Sequence, residues 1–216
     1  MERYLDMVNW PRHKTFQFFK PFEHPFFNVC VDLDVTALRR LTRKEKISFN
    51  SSILYLLLRA TNSQEPFRYR LRDDKVLVHD VVHGGSTVLH DDETFGFWYI
   101  DYVPNFKEFV LEAKRSLNDY HNRDQKDLDP RDLTDNVVHI SVLPWIKFNS
   151  FAHARRHSTD DSVPKYMFGK VTEVGEKVVM PFSVEVHHAL MDGLHVGRFL
   201  EHFQNLLDTC ETLWGP

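Results

Sequence analysis

The chain has 216 residues, of which 42% are hydrophobic and 27% are charged, with a formal net charge of -4. A chain of this size can bury a continuous core without disulfides or metal ions, so we expect one domain over residues 1–216. The acidic balance, with no run of Lys and Arg interleaved with aromatic residues, argues against a nucleic-acid partner.

At the start of the chain, the segment MERYLDMVNW carries charges where a secretion signal requires an apolar stretch. The longest apolar run, Ile53–Leu58, is too short to cross a bilayer. We therefore expect a cytoplasmic protein with no membrane partner. Cys30 and Cys210 are too few for a disulfide framework or a thiolate metal site, so we expect both thiols to be reduced.

Six segments rich in β-branched and aromatic residues are predicted to form strands. In chain order they are Phe26–Val35, Lys75–Asp80, Ser86–His90, Phe95–Asp101, Val137–Leu143 and Lys177–His187. Helical spacing predicts three helices, which run from a cap within residues 49–52 to about Asn62, from Pro104 to about Tyr120, and from Gly193 to about Thr212. The charged segment Asp119–Asp135 is typical of a loop. The pattern is that of a mixed α/β domain in which strands outnumber helices.

The last predicted strand is dense in apolar residues, which favours a central, buried position, although Pro181 suggests a bulge or an edge. It ends in the segment VHHALMDG, residues 186–193. Successive strand residues point to opposite sides, so only one of His187 and His188 can face a given cavity. Histidine as a residue type titrates near neutral pH, which makes His188 a candidate general base.

An imidazole that acts as a base needs a fixed tautomer, and the sequence offers two ways to supply it. Asp192 can hold the ring of His188 directly, or it can brace the turn through an Arg while a backbone carbonyl orients the ring. A zinc site made of His187, His188, Asp192 and His195 is the rival interpretation, and it would indicate a hydrolase. Adjacent histidines diverge in a strand, which weighs against it.

Several further segments occur in the same order as in a known family. They are NWPR at 9–12, FQFF at 16–19, SVLPW at 141–145, MFGK at 167–170, and VHHALMDGLHVGRF at 186–199. On these segments the chain resembles chloramphenicol acetyltransferase, over nearly its whole length. The resemblance implies a coenzyme A-dependent acyltransferase fold with a mixed β-sheet and flanking helices. It also implies a homotrimer with active sites at the subunit interfaces.

The same resemblance implies a role for nine residues of the chain. His188 would be the general base, and Ser141 would donate a hydrogen bond to the oxyanion. Arg12 and Asp192 would form an ion pair that supports the site. The acceptor would bind near the aromatic residues Phe18, Phe19 and Phe27, and Trp145 and Lys170 would lie beside coenzyme A. Acetyl-coenzyme A would be a cosubstrate, with no tightly bound cofactor and no metal.

The chain departs from the family pattern at several positions near these sites. Phe19 replaces a tyrosine that many antibiotic-modifying members have, Glu23 replaces an apolar residue, and Met167 replaces a threonine that organises solvent. Ser48 and Asn50 stand where the family has Lys and Tyr, although Lys46 can reach the same phosphate region. We therefore expect an acetyltransferase with an altered acceptor pocket.

Two less specific interpretations remain open at this stage. From composition alone, the phenylalanines between Phe16 and Phe27 are more typical of ordinary core than of a pocket. The fold can also serve a catalytically weak protein that binds or sequesters a small molecule. The acids Asp91–Glu93 are interpreted as a solvated turn, because three adjacent acids in a strand cannot all face one ion.

Overall fold

The structure is a computed structural model that describes residues 3–122, 129, 131, 134–155 and 161–214. Its strands are β1 Arg3–Tyr4, β2 Phe26–Asp34, β3 Tyr69–Arg72, β4 Lys75–Val78, β5 His83–Leu89, β6 Phe95–Ile100, β7 Val137–Val142, β8 Lys165–Phe168, β9 Thr172–Val174 and β10 Lys177–His187. Its helices are α1 His13–Phe19, α2 Thr36–Glu45, α3 Phe49–Ser63, α4 Phe106–Asn122, α5 Gly193–Asp208 and α6 Cys210–Trp214, with a short 3-10 turn at Glu65–Arg68.

The strands form one large sheet and one small sheet. The large sheet has seven strands in the order β2-β10-β8-β7-β5-β6, and β9 also pairs with β10. Within it β5, β7 and β8 are mutually parallel, whereas the other pairings are antiparallel. The small sheet has the antiparallel order β1-β4-β3. The predicted mixed sheet with flanking helices is confirmed.

The last long strand, β10, lies inside the large sheet, as its apolar composition predicts. It pairs with β2 along nine residues on one side. On the other side it pairs with β9 up to Val179 and with β8 from Phe182 onwards. Pro181 falls in the gap between those two partners, where its carbonyl accepts a hydrogen bond from the Gly169 amide at 2.9 Å. The prediction that Pro181 marks an edge strand is therefore wrong, because β10 has partners on both sides. Proline has no amide proton to donate, and Pro181 lies where the hydrogen-bond ladder between β10 and its neighbours β9 and β8 is interrupted.

The main core lies between one face of the large sheet and the helices. Phe182, Val184 and Val186 of β10 are fully buried there, because alternate residues of a strand share one face. They meet an aromatic cluster in which Phe199 of α5 stacks on Tyr166 and Phe203 of α5 contacts Phe182 edge to face. Helix α3 is apolar on most sides, and ten of its residues are buried, since it is enclosed by α2, α4 and α5.

The predicted elements match the structure with a few exceptions. The third predicted helix is broken at Thr209, which separates α5 from α6. The cap of α3 is Ser48 rather than a residue within 49–52, because its hydroxyl accepts from the Ser51 amide at 3.2 Å. The first four residues of the expected loop 119–135 belong to α4, and its residues 123–128, 130, 132 and 133 lie outside the described residues.

The sequence did not predict six of the elements, namely β1, β3, β8, β9, α1 and α2. The four strands among them have two to four residues, which gives a weak signal, although the equally short β4 was predicted.

The acidic triplet Asp91–Glu93 forms an exposed turn, as predicted, in which Asp92 accepts hydrogen bonds from Thr94. Both cysteines are free, and burial raises the pKa of the Cys210 thiol to about 11. Within the described residues, none of the helices combines the length and the apolar character that crossing a bilayer requires.

Candidate active site

The central feature of the site is His188, which directly follows the last residue of β10. Its Nδ1 lies 3.1 Å from the carbonyl oxygen of Met191. Because a carbonyl can only accept, Nδ1 must carry the proton and donate it, which leaves Nε2 of the neutral ring with a free lone pair. The second of the two alternatives for orienting this ring is therefore the one found, with a backbone carbonyl as the partner.

Two phenylalanines hold the ring of His188 in place. Phe19, the last residue of α1, stacks on it with ring centroids 3.9 Å apart and planes 7° apart. Phe27 of β2 lies at a centroid distance of 4.7 Å on a tilted plane. The amide of His188 also donates to the carbonyl of Pro25 at 2.6 Å. Ring and backbone are thus fixed by two segments, the end of α1 and the start of β2, as a candidate base with defined geometry requires.

Arg12 and Asp192 form an ion pair behind the imidazole. Arg12 Nη1 donates to Asp192 Oδ2, and Arg12 Nη2 donates to the carbonyl oxygen of His188 at 3.0 Å. Asp192 is also the N-cap of α5, because its Oδ1 accepts from the Leu194 amide at 3.1 Å. Partial burial opposes ionisation of Asp192, but the charges of Arg12 and His195 outweigh it and lower the pKa of Asp192 below its ordinary value.

The neighbouring His187 points to the other side and is almost completely buried. Its Nδ1 accepts a hydrogen bond from the Ala189 amide at 3.2 Å, and its ring meets Phe26 edge to face. Burial lowers the pKa of His187 to about 4, so the ring is neutral at neutral pH.

The four residues of the rival zinc site do not converge in this arrangement. The Nδ1 atoms of His188 and His195 are directed to Met191 and Asp192 respectively, and His187 lies on the opposite side of the strand end. Among the described residues, no group of three or more His, Cys, Asp or Glu side chains is placed to hold a metal ion.

Ser141 lies far from His188 in the same chain. In the sheet register Ser141 of β7 is level with Met167 of β8, which is level with Ser183 of β10. His188 is five residues beyond Ser183, which corresponds to about 17 Å along the strand and about 10 Å across two strand spacings. One chain therefore does not bring the two predicted catalytic residues to a common reacting atom.

The remaining predicted site residues lie at the surface of the single chain. Phe18 is 63% exposed and contacts Phe19 and Phe22 rather than the histidine. Trp145 is 61% exposed. Lys170 is exposed and lies near Trp145, since its amide donates to the carbonyl of Ile146 at 2.8 Å. The structure thus groups Trp145 with Lys170, and Phe19 and Phe27 with His188.

A cavity of about 670 Å³ opens beside the strand end that carries the histidines. The segment from Lys20 to Asn28, which includes Glu23, forms one wall, and His187 also lines it. His153, Arg155 and Glu185, none of which we had predicted as site residues, also line it, and Arg155 packs on the ring of Phe26. A glutamate between Val184 and Val186 in a buried strand is the one sequence signal that could have indicated this lining.

Solved structures of two acetyltransferases have this mixed sheet with flanking helices. The fold is that of a dihydrolipoamide acetyltransferase from Azotobacter vinelandii, with a TM-score of 0.70 at 16% identity over 88% of this chain and 84% of that chain. It is also similar to a solved chloramphenicol acetyltransferase, with a TM-score of 0.86 at 25% identity over 96% of this chain and 100% of that chain. The class is that of the acyltransferases.

The family follows from the sequence comparisons. A family model described as chloramphenicol acetyltransferase matches residues 2–204. Chloramphenicol acetyltransferase 3 of Escherichia coli is 31% identical over 207 residues, which cover 95% of this chain and 96% of that protein. A chloramphenicol acetyltransferase of Klebsiella is 30% identical over 205 residues, which cover 94% of this chain and 93% of that protein. The chain belongs to the chloramphenicol acetyltransferase family, and it is an acyltransferase.

Proposed function

We propose that the protein transfers an acetyl group from acetyl-coenzyme A to a hydroxyl of a small, largely apolar acceptor, chloramphenicol or a related compound. His188 is the general base of this reaction. The observation that carries the proposal is the hydrogen bond from His188 Nδ1 to the Met191 carbonyl, because it leaves Nε2 available to accept a proton.

The reaction proceeds by direct attack of the acceptor on the thioester. Nε2 of His188 takes the hydroxyl proton while the acceptor oxygen attacks the thioester carbonyl, which forms a tetrahedral oxyanion. Ser141 donates a hydrogen bond to that oxyanion. When the intermediate collapses, the carbon–sulfur bond breaks, and the departing thiolate takes the proton from His188 to give coenzyme A and the acetyl ester.

The active site is completed by two copies of the chain in a homotrimer. This assembly is supported by the estimated separation of Ser141 and His188, which is several times the reach of a hydrogen bond. It is also supported by large apolar side chains that one chain leaves exposed, since single chains rarely expose many of them together. They include Phe18, Leu89, Phe95, Phe97, Trp145 and Ile146.

Acetyl-coenzyme A is a cosubstrate, and no tightly bound cofactor is required. Trp145 offers an exposed ring on which an adenine can stack, and Lys170 offers a cation for its phosphates. Met167 cannot donate the hydrogen bond of the threonine that it replaces. We therefore assign no solvent-organising step to this position.

The test is the release of coenzyme A thiol from acetyl-coenzyme A in the presence of chloramphenicol and related alcohols. We expect His188→Gln to lower kcat by about a hundredfold to ten-thousandfold, the usual contribution of a positioned general base. His121→Gln, an exposed histidine at the end of α4, is the matched control and should retain full activity. Equal thiol release by the wild type and His188→Gln would rule out the proposed base.

A further inference from the structure

His195 lies in the first turn of α5, beside the carboxylate on which the turn after β10 depends, and the proposed chemistry gives it no role. Its Nδ1 is 2.8 Å from Asp192 Oδ1 and 3.2 Å from the Asp192 amide nitrogen. The side chain is only 20% exposed, so most of the ring is shielded from water. Two groups of Asp192 thus contact one nitrogen of the same ring.

A single ring nitrogen cannot form both hydrogen bonds at once. If Nδ1 has no proton, it can accept from the Asp192 amide, but its lone pair then faces a carboxylate oxygen at 2.8 Å. If Nδ1 carries a proton, it donates to that oxygen at a distance typical of a hydrogen bond to an ionised group. The shorter contact is the one with the stronger acceptor, which favours a proton on Nδ1.

The alternative role for His195 is that of an ordinary helix cap. His195 occupies the third position of α5, where a glutamate or glutamine often accepts a hydrogen bond from the N-cap amide. In that role the ring would stabilise the start of the helix and nothing more. The two roles require opposite directions of hydrogen bonding at Nδ1, so they can be separated experimentally.

A donor at position 195 would fix the carboxylate of Asp192 at both of its oxygens. Oδ2 accepts from Arg12 Nη1, and Oδ1 faces His195 and the amide of Leu194. Arg12 in turn donates to the carbonyl oxygen of His188 at 3.0 Å. A continuous series of contacts therefore runs from the ring of His195 to the backbone of the proposed base.

The charge at position 195 matters to this series. Burial would raise the pKa of Asp192, but the charge of Arg12, together with the charge and hydrogen bond of His195, lowers it below its ordinary value. A negative side chain in place of His195 would have the opposite effect, because like charges this close repel each other. It would also compete with Asp192 for the guanidinium of Arg12.

We propose that His195 donates a hydrogen bond from Nδ1 to Asp192 and thereby positions the backbone of His188 through Asp192 and Arg12. This inference rests on the proposed function, because it names a positioning residue of the same site. His195 takes no part in the proton transfer itself.

Two substitutions separate a donor from an acceptor at position 195. His195→Gln can donate to the Asp192 carboxylate or accept from its amide, whereas His195→Glu can only accept. We expect kcat for thiol release to fall by about tenfold to a hundredfold in His195→Glu and to stay within about threefold of the wild type in His195→Gln, since small displacements of a positioned group have effects of this size. The loss should appear in kcat rather than in KM.

Leu194→Glu is the matched control for the added charge. It places the same carboxylate in the same turn of α5, at a side chain that is 60% exposed, and it should retain full activity. Urea unfolding of the three variants shows whether each is folded.

A second measurement does not depend on turnover. In the full-length protein labelled with nitrogen-15 histidine, magnetic resonance distinguishes a protonated ring nitrogen from an unprotonated one, and the His195 signals are those absent from His195→Gln. We expect Nδ1 of His195 to carry a proton even at about pH 8, where an ordinary histidine is neutral. The Nδ1 signal of His188, identified by its absence from His188→Gln, should move in His195→Glu and stay in place in His195→Gln.

An unprotonated Nδ1 in the wild-type ring overturns this inference, and so does equal kcat in His195→Glu and His195→Gln. If His195→Glu does not fold, the protonation of Nδ1 in the wild type decides the question alone. If the wild type releases no thiol, the proposed function fails. A protonated Nδ1 and a His188 signal that moves only in His195→Glu would then still support the positioning role.

Discussion

His188 has its tautomer set by a main-chain carbonyl rather than by a carboxylate. The carboxylate of Asp192 acts one step further away, because it binds Arg12, which in turn binds the carbonyl of His188. The charge of Asp192 therefore stabilises the turn and not the imidazole itself. It follows that the ion pair and the helix cap, which share this one carboxylate, can be separated by mutation.

We expect Asp192→Asn and Asp192→Ala to lower activity alike, because both release Arg12, whose side chain is only 13% exposed. Asparagine is a good N-cap and alanine is not, so the alanine variant should be less stable than the asparagine variant by about 1 kcal/mol. Thiol release and urea unfolding measure the two effects. Full activity in Asp192→Asn would contradict the role of the ion pair.

The stability of the fold should depend on pH through its buried histidines. Burial holds the pKa of His187 at about 4, against an ordinary value of 6.5, and does the same for His139. Between about pH 4 and pH 6.5, these two histidines are therefore protonated in the unfolded chain but neutral in the folded chain. Stability is therefore lost as the pH falls from about 6.5 to about 4, by up to about 3 kcal/mol for each histidine.

Urea unfolding at about pH 7 and about pH 5 tests this expectation. His187→Gln keeps an acceptor for the Ala189 amide but cannot titrate, so the loss of stability between the two pH values should shrink and the contribution of His139 should remain. His121→Gln, which removes an exposed histidine, should behave like the wild type. An unchanged pH dependence in His187→Gln would show that this ring is not protonated on unfolding.

At the scale of the secondary-structure elements, the turn after β8 is tightly packed near the predicted coenzyme residues. A Cβ added at Gly169 would lie 2.9 Å from the ring of Phe148 and 3.0 Å from the carbonyl oxygen of Ile146. That carbonyl accepts the amide hydrogen bond of Lys170. The absence of a side chain at Gly169 therefore allows the segments of Trp145 and Lys170 to approach each other.

We expect Gly169→Ala to destabilise the protein by about 1–3 kcal/mol, because backbone must move to admit the methyl group, and to raise KM for acetyl-coenzyme A. Gly197→Ala is the matched control, since a Cβ at Gly197 in α5 has nothing within 4 Å. It should stabilise the helix by up to about 1 kcal/mol. Urea unfolding compares the two variants, and equal stability would show that the turn is not tightly packed.

At the scale of the whole molecule, the sheet register separates the base from its proposed oxyanion donor. In a closed oligomer, Ser141 of one copy can lie close to His188 of another, if the surface that carries Ser141 faces the end of β10 in the neighbouring copy. Subunit mixing distinguishes such a site from one within a single chain.

We expect His188→Ala and Ser141→Ala proteins to be nearly inactive alone and to regain activity when they are refolded together. In random mixtures roughly a quarter of the sites would combine an intact histidine with an intact serine. The measurement is thiol release before and after mixing, with sedimentation to confirm the trimer. A sedimentation result showing a monomer, or no recovery in mixed oligomers, would contradict the proposed assembly.

The sequence was sufficient for features that depend on local pattern. β-Branched and aromatic composition predicted six of the strands, including the buried one that ends in a histidine pair, and helical periodicity predicted three helical segments. The order of short segments predicted the family. The secondary-structure elements depend on the types and spacing of neighbouring residues, and the family is indicated by similarity to related sequences. Neither prediction requires knowing which distant segments contact each other.

The tertiary structure decided everything that depends on contacts between distant segments. Phe19, which stacks on the ring of His188, and Pro25, whose carbonyl accepts the His188 amide, lie far from His188 along the chain. The sequence left open whether a carboxylate or a carbonyl orients the ring of His188, and the turn after β10 places the Met191 carbonyl there. The cluster of His153, Arg155 and Glu185 arises because residues about thirty positions apart meet beneath one face of the sheet. Hydrogen-bond direction and burial are properties of such packing, and periodicity along the chain carries no information about them.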